Sequence, residues 1–97
     1  MSLISSYSIV IDKQGLKDLE NIKQAGLKKK VDVLLRKIEL NPFCNPPPYE
    51  KLKGDLSGAY SRRINRTHRL IYKTDKQEKI VTIIRMWTHY DKAFTKV

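Results

Sequence analysis

The sequence predicts an α+β domain in which an N-terminal strand and an αα-hairpin pack on one face of a small antiparallel β-sheet. Three observations carry that prediction. Apolar residues recur with a helical period between residues 12 and 40, all four prolines fall within residues 41–49, and from Glu50 onward the apolar period changes to two. A chain of 97 residues has room for one domain, residues 1–97, and one modest core.

The segment from Tyr7 to Ile11 is short, aromatic and β-branched, and reads as the first strand. Asp12 is placed to cap a helix whose apolar residues Leu16, Leu19 and Ile22 recur at spacing three, and Gly26 is placed to end it. A second helix begins near Leu27, with Leu27, Val31, Leu34, Leu35 and Ile38 as its apolar stripe. Asn41-Pro42 stops it. Its run Lys28-Lys29-Lys30 reads first as a solvated face and second as an auxiliary phosphate contact. The proline-rich residues 41–49 can be neither helix nor central strand, so they form a stiff connector that fixes where Tyr49, Glu50 and Lys51 emerge. Beyond it come a short strand at Lys51–Lys53, a turn over Gly54–Gly58, strands at Tyr60–Ile64 and His68–Lys73, and a turn at Thr74–Glu78. A long final strand, Ile80–His89, is rich enough in Ile and Val to lie inside the sheet.

Charge is the strongest compositional signal. Twenty Lys+Arg against ten Asp+Glu give a formal net charge of +10, and five of the six arginines (Arg62, Arg63, Arg66, Arg69 and Arg85) lie in the second half. Such a basic balance in a small domain is the footprint of a nucleic-acid binder, with an acidic protein or an anionic membrane surface as rivals. No apolar run approaches the roughly 20 residues of a spanning helix, and residues 1–7 carry no secretory pattern. A single cysteine, Cys44, allows no intrachain disulfide. The expectation is a cytoplasmic protein without a membrane partner.

The hairpin between the two arginine-bearing strands can be registered from its apolar residues. A three-residue loop, Asn65-Arg66-Thr67, pairs Ile64 with His68, Arg63 with Arg69, Arg62 with Leu70 and Tyr60 with Tyr72. Only that choice gathers Tyr60, Ile64, Leu70 and Tyr72 on one face and Ser61, Arg63, Arg69 and Lys73 on the other. Arg63 and Arg69 then face each other with Cβ atoms about 5 Å apart, a repulsive pair unless an anion joins them. By alternation along the final strand, Arg85, Trp87 and His89 share one face, while Ile80, Ile84 and Met86 point to the helices. One carboxylate, several phosphate-type cations, a histidine and an adjacent tyrosine are the parts needed to cleave RNA through its own 2′-OH. With two histidines and no DxD or HxH spacing, neither a metal nor a cofactor is expected.

The stretch from Tyr49 to Asn65, which includes Leu56-Ser57-Gly58-Ala59-Tyr60-Ser61-Arg62-Arg63-Ile64, then His68-Arg69-Leu70-Ile71-Tyr72 and His89-Tyr90, resembles the YoeB/Txe branch of the RelE-type toxins of bacterial toxin–antitoxin pairs. The resemblance implies a RelE-like fold and a ribosome-dependent endoribonuclease that cuts mRNA in the ribosomal A site without a metal. By the same likeness Glu50 is the general base, and Lys53, Arg63 and Arg69 hold the phosphate and its transition state. His89 is the general acid, and Tyr90 orients the substrate. Arg62, beside Arg63, is counted with the phosphate contacts. The implied partners are mRNA on the ribosome and a YefM/Phd-like antitoxin, and a homodimer is left open. The tail Asp91–Val97 extends past the point where family members commonly end. Two other functions compete: a ParE-like poison of DNA gyrase, and a non-catalytic basic module binding RNA or ribosome.

Overall fold

The computed structural model describes residues 6–87. The N-terminal residues 1–5, the pair His89-Tyr90 and the tail Asp91–Val97 lie outside them. The order of elements is β1 (Ser8–Ile11), α1 (Lys13–Gln24), α2 (Lys28–Leu40), β2 (Glu50–Lys51), a 3₁₀ turn (Gly54–Leu56), β3 (Ala59–Arg63), β4 (Arg69–Asp75) and β5 (Ile80–Arg85). The strands form one five-stranded sheet in the order β1-β5-β4-β3-β2. β5 is an interior strand, as its composition predicts. The sheet is mixed rather than wholly antiparallel, because β1 runs parallel to β5 with Ser8 opposite Ile80 and Ile11 opposite Ile83.

Local chemistry explains the helices. The Asp12 side chain accepts from the Gly15 N–H at 2.9 Å and caps α1. Gly26, at φ 74°, follows the C-cap Ala25 and turns the chain into α2. The stripe of α2 falls as its spacing predicts, with Val31, Leu34 and Ile38 buried. In α1 the inward face is Gly15, Asp18 and Ile22. Leu16, expected on the apolar side, is 52% exposed. The main core lies between helices and sheet, and joins Ile22, Val31 and Ile38 to Leu70, Tyr72, Val81, Ile83 and Met86. A smaller cluster of Leu52, Ala59 and Ile71 sits apart from it, with Leu56 and Ile84 against it.

Gly15 is small for a reason. A Cβ there would lie 2.8 Å from the Ile11 side chain and 2.9 Å from the Ile83 carbonyl oxygen, which is backbone and cannot turn aside. Glycine to alanine within a helix normally stabilises by about 1 kcal/mol. Here we expect Gly15→Ala to lower stability by about 1–2 kcal/mol, because overpacking against a sheet outweighs the helix propensity. Denaturant titration checks the sign; a stabilised variant would refute the close approach.

The hairpin register is as the apolar sorting predicts: Tyr60 opposite Tyr72, Arg62 opposite Leu70 and Arg63 opposite Arg69. On β5 strict alternation fails. Ile71 pairs with Arg85 but Tyr72 pairs with Ile83, so Ile84 is an extra residue in the ladder. The residues of β5 that face the helices are Val81 and Ile83, opposite in parity to the expected Ile80 and Ile84, and this corrects three expectations. Ile84 packs with the smaller cluster instead of facing the helices, Arg85 reaches Asp18 on α1, and Trp87 packs against the helix-side core.

Candidate functional site

β2 is a two-residue edge strand on which Glu50 pairs with Ser61 and Lys51 with Tyr60. Because side chains alternate, Glu50, Ser61 and the β4 residue Arg69 converge on one face. Arg69 donates its Nε–H to Ser61 Oγ, and its Nη2 lies 3.4 Å from the Ser61 carbonyl and 3.6 Å from Glu50 Oε1. The Arg69 side chain is 5% exposed and Glu50 is 50% exposed. The arginine is therefore the floor of the site, and the carboxylate stands on it facing solvent. A carboxylate with a buried guanidinium behind it is fixed in direction and free to take a proton from something outside.

The facing arginines do not need a foreign anion. Arg69 turns to Ser61 and Glu50, whereas Arg63 is exposed and lines a hollow of about 390 Å³ with Lys29, Lys30, Lys37 and Pro47. Ser61 is opposite Glu50 and Arg63 is two residues further along β3, so Glu50 and Arg63 are diagonal neighbours, roughly 7–8 Å apart at the backbone. Lys53 is exposed and precedes the 3₁₀ turn, lining a cleft of about 420 Å³ with Lys51, Ser57, Gly58 and Tyr60. Of the site residues expected from the sequence, Glu50 and Arg69 meet directly, whereas Arg63 at the end of β3 and Lys53 past the end of β2 line two separate hollows. His89 and Tyr90 lie outside the described residues.

Arg62 is a correction. It is wholly buried, and its guanidinium donates to Pro42 O at 3.0 Å, Cys44 O at 2.8 Å, Pro47 O at 2.5 Å and Tyr72 Oη at 3.0 Å. Alternation places Arg62 on the helix-side face with Leu70, so it meets backbone carbonyls instead of phosphate. Burial pushes the Tyr72 hydroxyl up, against the opposing pull of Arg62, so it stays protonated and donates to Pro42 O at 2.8 Å.

Two residues were assigned no role from the sequence. Ser61 supplies the contacts that hold Arg69. Asp18 accepts from Arg85 Nε at 2.9 Å, the Met86 N–H at 2.9 Å, the Trp87 N–H at 3.2 Å and Gln14 at 3.0 Å, which pins the end of β5 to α1. His68 stacks on Trp87 with ring centroids 3.9 Å apart, on the side away from Glu50 and Arg69. Among the described residues no helix is long and apolar enough to cross a membrane.

A helical hairpin over a small mixed sheet is an arrangement shared with solved structures of small bacterial toxins. The YoeB/ParE toxin from Agrobacterium tumefaciens superimposes with a TM-score of 0.77 at 29% identity, covering 86% of this chain and 99% of that one. The YoeB–YefM complex from Staphylococcus aureus contains a chain that matches with a TM-score of 0.73 at 34% identity, covering 89% and 100%. The YoeB-like toxin model of bacterial type II toxin–antitoxin systems matches residues 11–90, and the chain belongs to that family. Toxin YoeB of Streptomyces coelicolor is 46% identical over 63 residues, 64% of this chain and 71% of that protein. Toxin YoeB of Escherichia coli K12 is 36% identical over 62 residues, again 64% and 71%.

Proposed function

We propose that this toxin is a ribosome-dependent endoribonuclease, a single cytoplasmic domain that cuts mRNA in the A site. The observation that carries the reading is the half-exposed Glu50 carboxylate backed by the buried Arg69 guanidinium. In this reading Glu50 takes the proton of a ribose 2′-OH as that oxygen attacks the adjacent phosphorus. The bond from phosphorus to the 5′-oxygen breaks, and His89 delivers a proton to the departing oxygen while Tyr90 orients the strand. Arg63 and Lys53 meet the phosphorane oxygens, and Arg69 holds Glu50 in line and adds positive potential from below. The products are a 2′,3′-cyclic phosphate end, which water can then open to a 3′-phosphate, and a 5′-OH end. No metal or cofactor takes part.

In Staphylococcus aureus a YoeB occurs in complex with YefM and also as a dimer. A YefM/Phd-like antitoxin is the corresponding partner proposed here, and the +10 charge suits an acidic protein as well as RNA. A homodimer is the second assembly to test.

The decisive experiment adds the purified chain to a reconstituted translation reaction and maps new mRNA 5′ ends. Cuts confined to ribosome-bound message are the expected result. Intact message on ribosomes with a vacant A site would remove the reading, and accumulated gyrase-linked DNA breaks would replace it with the gyrase alternative.

A further inference from the structure

Arg62 is the largest fully buried side chain among the described residues, and none of its hydrogen bonds there goes to a carboxylate. A buried guanidinium is tolerable only when its donors are used. Three of these four bonds go to one segment, the proline connector, at Pro42, Cys44 and Pro47. The fourth goes to Tyr72, whose hydroxyl itself donates to Pro42. The cation also lies 4.9 Å from the ring centroid of Tyr49, the residue immediately before Glu50.

The connector contains no helix or strand, and it ends at a strand of only two residues at the sheet's edge. So short a ladder holds its first residue weakly. Glu50 therefore depends on where the connector arrives. We infer that Arg62 is a positioning residue for the nuclease: from the helix-side face it ties down residues 42–47 and delivers Glu50 to Arg69 on the opposite face. This rests on the reading of Glu50 as the base. Two arginines thus act from opposite sides of the sheet, Arg62 on the backbone leading to β2 and Arg69 on the carboxylate itself. Lysine cannot replace Arg62, because three carbonyls and a hydroxyl arranged around a plane match the guanidinium fork and no single ammonium.

The test is single-turnover cleavage of ribosome-bound mRNA by the full chain, with Arg62→Lys, Glu50→Gln and the double variant. Arg62→Lys should slow cleavage by about tenfold or more, with the half-saturating toxin concentration within about twofold of the parent. In the Glu50→Gln background it should add nothing, since it acts through that carboxylate. Parent-like cleavage by Arg62→Lys, or effects that multiply in the double variant, would overturn the inference. A parent that cleaves nothing condemns the nuclease reading instead, and it is seen before any variant is compared. ¹⁵N relaxation reads the geometry directly: backbone order should fall at Tyr49 and Glu50 in Arg62→Lys while β4 keeps its parent values, and unchanged order at both would count against the role. If Arg62→Lys does not fold, Tyr72→Phe removes only the hydroxyl link to Pro42. It should slow cleavage about twofold to fivefold with the same loss of order, and a parent-like Tyr72→Phe would then overturn the proposal.

Discussion

Glu50→Gln should slow single-turnover cleavage of ribosome-bound mRNA by on the order of 10²-fold or more, while affinity for RNA holds or rises. The amide keeps the shape of the carboxylate and retains an oxygen that Arg69 can approach, so the fold and the Arg69–Ser61 contacts should persist. What it loses is basicity. Removing a negative charge from a surface that meets phosphate should also leave binding no weaker, and that divergence between rate and affinity distinguishes a catalyst from a basic binding module. In a non-catalytic module Glu50→Gln would leave function untouched, whereas charge reversal at exposed Arg63 would weaken binding and reduce the salt slope by roughly one unit. Cleavage at the parent rate by a folded Glu50→Gln protein would therefore remove Glu50 as the base.

How much of this could be read from the residues depended on whether the determining physics was local or long-range. The β3–β4 register was legible, because a single choice of loop sorts Tyr60, Ile64, Leu70 and Tyr72 onto one face. The Asp12 cap and the α2 stripe were legible for the same reason, since each is decided within a few residues. Which face of β5 meets the helices was not legible, and Ile84, Arg85 and Trp87 were misplaced with it: Ile80, Val81, Ile83 and Ile84 are apolar at both parities, so the pattern does not choose between them. Arg62 shows the limit from another side. Its alternation with Tyr60 and Ile64 pointed to the buried face, but a cluster of arginines in a basic chain reads as an anion site until the connector carbonyls are seen folded over it. Asp18 was hidden because a lone carboxylate in an amphipathic helix is normally solvated. Its partners, at residues 85–87, lie almost seventy positions away.

Removing the Asp18 carboxylate should have the largest effect on stability. Asp18→Ala leaves the Met86 and Trp87 N–H groups and a two-thirds-buried Arg85 side chain without their acceptor, and we expect a loss of roughly 2–4 kcal/mol. For a domain of this size that lowers Tm by on the order of 10–20 °C. The same carboxylate sets an acid limit. Burial by itself raises its pKa and is the largest single influence, but hydrogen bonds from Arg85, the Met86 N–H, Gln14 and the Trp87 N–H together outweigh it and hold the group below its ordinary value of 3.8. A carboxyl whose pKa is lower folded than unfolded binds fewer protons in the native state. Its stabilising contribution is complete above the unfolded value and is lost as pH falls below about 3.8 toward the folded one. Melts at pH 6, 4 and 3 should thus show the parent approaching Asp18→Asn as the pH drops, because the amide does not titrate and keeps only part of the acceptor capacity. A gap between the two proteins that stays as wide at pH 3 as at pH 6 would mean that the ionised carboxylate is not what ties β5 to α1.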